Sequence, residues 1–212
     1  MTVDRLHSMS TSGHHFLTDP TLTEQGKRLF DEDEADDGFI MNLTRLWAYE
    51  PAAIAGLLEL MKAAAKTGGL SLRQRGVLVS ASASTLGDAY CSLAWGARLA
   101  SETDPSIAAG VLRGDDSGLD PPDQAMAVWA RKVVADPTGT EESDVARLRA
   151  VGFTDTEIFA MTVFIALRLA FSTVNNALGA RPDLELAETV PPEVAAAVDY
   201  GRPVAPAPSG HT

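Results

Sequence analysis

Between Thr21 and Tyr200 the apolar residues recur three and four positions apart, the period of a helix that buries one face. No run of alternating apolar and polar residues lies between Asn-Gly or Asp-Gly turns, so strand hairpins are not expected. The fold class read from this pattern is all-α, a single helical domain over residues 21–200. A first helix starts near Thr21 to Thr23, carries Leu29 and Phe30, and is expected to dissolve into the acidic run Asp31 to Asp37. Phe39 to Tyr49 places Ile40, Leu43, Leu46 and Trp47 on one face, and Pro51 opens the next helix, which Gly68 and Gly69 close.

Further on, the start signals are local and strong. Ser71 with Gln74 and Thr154 with Glu157 are capping boxes, and Asp88, Asp104 and Asp120 stand where N-caps belong, the last two followed by proline. The helix opened by Thr154 is apolar almost all round from Ile158 to Phe171, which marks it as central. Pro191 and Pro192 start a last short helix. The polar residues 1–20 and the segment 203–212 read as a flexible N-terminal tail and a disordered C-terminal tail.

Composition narrows the partners. Of 212 residues 45% are hydrophobic, enough for a sizeable core, and the formal charge of −12 disfavours nucleic acid and anionic membrane surfaces. No uninterrupted apolar run reaches the ~18 residues of a membrane span. The lone cysteine, Cys91, cannot close an intrachain disulfide, and the N-terminal residues lack the apolar stretch of a secretory signal, so a cytoplasmic location is expected. His7, His14, His15 and His211 all fall in the two tails, which leaves no imidazole for a triad or a metal centre in the body. Nucleotide-binding glycine patterns are absent, and the acidic run fails the EF-hand spacing at Ala35, Asp36 and Asn42. Neither a cofactor nor a metal is expected.

One helix face remains as a place for chemistry. Asp88, Cys91, Trp95 and Arg98 share a row. The positive end of the helix dipole favours a thiolate at Cys91, Asp88 opposes it, and Arg98 lies two turns away, so the sequence leaves the net sign open. An inert cysteine packed on Trp95 is the plainer reading.

The stretch LSLRQRG at 70–76, followed by DAYCSLAW at 88–95, resembles the alkylhydroperoxidase D-like, carboxymuconolactone decarboxylase superfamily, in particular its peroxidase-related group. WARKVVADP at 129–137, DVARLRAVGFTDTEI at 144–158 and FSTVNNALG at 171–179 continue the likeness. GFIMNLTRLWAYEP at 38–51 and PPEVAAAVDYGRPV at 191–204 extend it loosely over most of the chain. The resemblance implies a helical bundle that assembles as a homo-oligomer. It also implies a relay of a glutamate, a C-x-x-C pair and a histidine, which fall here on Gly76, Asp88, Cys91 and Trp95, so that only the second cysteine is kept.

A glycine offers no carboxylate, an indole only donates, and Asp88 cannot form a disulfide. The function expected from the resemblance is weak hydroperoxide reduction at Cys91 with an external thiol reductant, Asp88 modulating it and Gly76, Trp95 and Arg98 shaping the pocket. The alternatives are a non-catalytic oligomeric protein that binds a small apolar molecule or serves as a scaffold, and a new reaction with Asp88 as general base.

Overall fold

The computed structural model describes residues 13–207. Its elements are α1 (Glu24–Asp36), α2 (Asn42–Trp47), α3 (Pro51–Thr67), α4 (Leu72–Leu86), α5 (Ala89–Glu102), α6 (Pro105–Arg113), α7 (Pro121–Ala135), α8 (Glu142–Ala150), α9 (Asp155–Ala177), α10 (Leu184–Thr189) and α11 (Pro192–Ala195), with a 3-10 turn at Pro137–Gly139. No strand occurs among the described residues.

The caps read from the sequence are in place. The Ser71 hydroxyl accepts from Gln74 N while Gln74 Oε1 accepts from Ser71 N, and Thr154 with Glu157 does the same. Asp88, Asp104 and Asp120 accept from the backbone N–H of Cys91, Ser106 and Asp123. Each such cap stabilises its helix by ~1 kcal/mol.

Helix α4 is the hub, packed against α5, α6, α7 and α9, while α3 lies along α9. Leu78, Leu99, Met126, Met161 and Ile165 are fully enclosed between them. Each contributes ~1.5–3 kcal/mol by leaving water. The α4–α5 contact is close because α4 is small-sided there: a Cβ on Gly76 would stand 3.1 Å from Leu99 Cβ. Helix α9 is by length and composition able to cross a membrane, but it packs against α3, α4 and α7 and its middle carries the buried Arg168.

Several expectations need correction. The acidic run does not dissolve α1; the helix continues to Asp36, and Asp33 Oδ2 accepts from Met41 N at 2.9 Å to tie it to the start of α2. Residues 13–20 are not a loose tail. Phe16 N donates to Leu178 O (2.9 Å), Arg181 N donates to His14 O (3.0 Å), Tyr49 Oη donates to Thr18 O (2.6 Å), and His15 is buried. His14 and His15 therefore belong to the folded body, whereas His7 and His211 lie outside the described residues. At the other end Ala205 is buried and its N–H donates to Pro182 O (2.8 Å), so 203–207 is ordered against the body, and 208–212 lies outside the described residues. Helix α10 lies between the Thr154 helix and Pro191, a stretch for which the sequence gives no helix start signal.

A buried polar knot ties these late elements to the early ones. Asp183 accepts from Asn42 N (2.8 Å) and from the Tyr90 hydroxyl, and Asn42 Nδ2 donates to Arg181 O (3.1 Å). Burial pushes the Asp183 carboxyl up to about 6, against the pull of its hydrogen bonds. A folded state that holds a proton the unfolded chain gives up near pH ~4 loses stability as pH rises from there through ~6, and is level above. Relative to Asp183→Asn, wild type is expected to lose about 2 kcal/mol between pH ~4 and ~7. Urea titrations of both proteins across that range measure the difference; parallel curves would refute it.

Candidate functional site

The start of α5 is built by Asp88. Its Oδ1 accepts from Cys91 N at 3.1 Å, which fixes Cys91 in the first turn, and its other oxygen is buried without a hydrogen-bond partner. Beyond it, Cys91, Trp95 and Arg98 line a cavity of about 680 Å³. Asp88 and Gly76 do not. Asp88 sits fully enclosed behind the wall, and Gly76 is spent on the α4–α5 contact with Leu99. Of the three residues expected to shape a pocket, two do so.

The opposite wall comes from α9 and α2. Phe171 and Trp47 stack with ring centres 5.8 Å apart and planes 5° from parallel, and Trp47 Nε1 donates to Asn175 Oδ1 at 2.8 Å, which locks the indole. Leu186 and Thr189 of α10 close one side, while Glu32, Asp33 and Asp36 of α1 and Asp37, its C-cap, edge the cavity. Neither His14 nor His15 reaches it.

The residue that sequence reasoning missed is Arg168. It is 7% exposed, lines the cavity, and donates from Nη2 to Cys91 Sγ at 3.2 Å. Its guanidinium lies over the rings of Trp95 (5.3 Å) and Phe171 (4.9 Å), with Arg98 over Trp95 as well at 5.1 Å. The cation beside the sulfur thus comes from α9, not from Arg98 along α5.

The thiol is only 2% exposed, and that burial pushes it up to about 12; Arg168 pulls it down, Asp88 pushes it further up, and the Ser172 hydroxyl 3.5 Å away pulls it down. The open sign of the sequence reading is resolved toward the neutral thiol. Apart from Arg168, no ionisable group is close enough to favour the thiolate strongly, and a neutral thiol is the unreactive form.

No protein-family model matches the sequence, and no curated protein matches it. Solved structures do. An alkylhydroperoxidase AhpD core, an uncharacterized peroxidase-related protein from Ralstonia eutropha, is similar with TM-score 0.73 and 25% identity over 82% of this chain and 94% of that one. A second uncharacterized peroxidase-related protein, from Silicibacter sp., is similar in fold with TM-score 0.71 and 20% identity over the same shares, 82% and 94%.

The chain has the AhpD-like fold. On this AhpD-like bundle the positions that the sequence resemblance gives to the redox pair are Asp88 and Cys91, and they face different surroundings: one carboxylate enclosed under the α5 cap, one thiol at the cavity wall. The position it gives to the relay carboxylate, Gly76, has no room for a side chain without displacing Leu99.

Proposed function

We propose that this AhpD-like protein is a small-molecule binder: it holds a compact, largely apolar molecule in the cavity between α1, α2, α5 and α9 and does not reduce hydroperoxides. One observation carries the reading. The single thiol that faces the cavity is pushed up to about 12 by burial and so stays protonated, and the cavity lining holds no second thiol and no imidazole to take its proton. Peroxide reduction needs a thiolate to attack the O–O bond and a second thiol to resolve the sulfenic acid that results. The cavity, by contrast, has the volume and the aromatic and aliphatic walls of a ligand pocket.

The test combines turnover and binding. Cumene hydroperoxide with dithiothreitol is expected to disappear at the same rate with wild type, with Cys91→Ser and with no protein. Titration with the neutral probe 2-naphthamide is expected to change the fluorescence of Trp47 and Trp95 saturably. Turnover that depends on Cys91 would overturn the reading, and so would failure to bind any apolar probe.

A further inference from the structure

Arg168 is an expensive residue to keep where it is. A guanidinium carries five N–H donors and stays charged in proteins. Here it finds only sulfur to donate to, Cys91 Sγ at 3.2 Å and Met61 Sδ at 4.0 Å, and its Nε has no partner. Among the described residues neither Arg168 nor Arg98 has a carboxylate within the 4.0 Å of an ion pair. The other arginines that meet carboxylates, Arg73, Arg131, Arg147 and Arg149, do so nearer the surface, where the pairing is least needed.

Burying an unpaired charge is costly, and the faces of Trp95 and Phe171 offset only part of that cost, at ~0.5–2 kcal/mol per ring. The two rings also hold the guanidinium in one orientation, at the wall of a cavity whose apolar part is made by Leu29, Phe39, Leu43, Trp47 and Ile54 and whose edge on the α1 side is acidic. A fixed, desolvated cation with free donors beside the apolar walls of a cavity is complementary to a molecule with an anionic head and a hydrophobic body.

Building on the binding function proposed above, we infer that the ligand is a monocarboxylate with an apolar or aromatic body, its carboxylate held in the fork of Arg168 next to Cys91. A planar carboxylate suits the planar fork, and the apolar walls leave a more highly charged phosphate without partners. The acidic residues Glu32, Asp36 and Asp37 at the cavity edge are exposed, so water and salt screen their repulsion; Asp33 is half-buried, bonded to Met41 N, and burial pushes its carboxyl up toward the neutral form, while Arg98, also exposed, brings a second positive charge to Trp95. The buried charge therefore decides the binding.

Two probes of one shape separate the head from the body. 2-Naphthoate and 2-naphthamide are titrated by calorimetry into wild type, Arg168→Met and Arg168→Lys, with folding checked by circular dichroism. Wild type is expected to prefer naphthoate at least tenfold. Arg168→Met should bind the two within twofold, with the amide affinity kept. Arg168→Lys, which retains a charge but not the fork, should keep a preference reduced severalfold, and it carries the test if the methionine variant does not fold. Equal affinities in wild type, or a preference that survives in Arg168→Met, would overturn the carboxylate assignment while the binding function stands. Failure of both probes to bind wild type would remove the binding function as well.

Discussion

Iodoacetamide is expected to alkylate Cys91 in the folded protein two to three orders of magnitude more slowly than in the unfolded chain at pH ~8. With the thiol near 12, the thiolate share at that pH is lower by ~10³-fold than for an ordinary cysteine. A thiolate of higher basicity is the better nucleophile, which recovers roughly thirtyfold, but only 2% of the residue is exposed and access takes that gain back. The pH profile is the sharper readout. The rate should climb tenfold per pH unit from ~7 to ~10 without levelling, because the folded thiol releases its proton only beyond that range. Arg168→Met should slow the reaction further, since it removes the cation that pulls the thiol down. A plateau below pH ~9 would mean an activated thiolate and would return hydroperoxide chemistry to consideration.

Why Cys91 is quiet was only half legible in the sequence. The cap at Asp88 and the row Cys91, Trp95, Arg98 follow from spacing along one helix, as do the capping boxes at Ser71 and Thr154, because these interactions close within three or four residues. Burial and Arg168 come from another helix, seventy-seven residues on, and spacing says nothing about them. A cue was present nonetheless: Arg168 is the only charged residue between Ile158 and Phe171, on a helix apolar nearly all round, and such a charge has either a partner or a task.

The other misreadings share one cause. The acidic run has the charge density of a turn, yet it remains helical as far as Asp36, with Asp33 bound to Met41 N. The histidines looked like tail by composition, yet Phe16, next in the chain, bonds to Leu178 and lies under Arg202. In both places a tertiary contact decides what a local pattern cannot. Gly76 is the converse case, a position assigned to the pocket by resemblance whose smallness serves the approach of two helices.

Gly201→Ala is expected to destabilise the protein by about 3 kcal/mol, the sum of ~1–2 for the backbone and ~1–3 for overpacking. Gly201 has φ +74°, and a Cβ there would stand 2.5 Å from Gly87 O and 2.8 Å from Ala89 N. Both are backbone atoms at the start of α5, which the Asp88 cap and the Gly87 turn hold in place, so neither can yield cheaply. The chain around Gly201 would have to lift instead. It would strain the Tyr200 hydroxyl bond to Ser92 Oγ (2.9 Å), the Arg202 bond to Asn176 O (2.7 Å) and the seating of Arg202 over Phe16 (4.5 Å). At ~2–4 °C per kcal/mol for a domain of this size, thermal unfolding should begin ~6–12 °C lower. Gly114→Ala isolates the backbone contribution. Its φ is +83° at the end of α6, but nothing lies within 4 Å of its Cβ position, so it should cost only ~1–2 kcal/mol. Equal losses in the two variants would show that the C-terminal segment does not press on the α5 cap, and that the first turn carrying Cys91 is held by Asp88 alone.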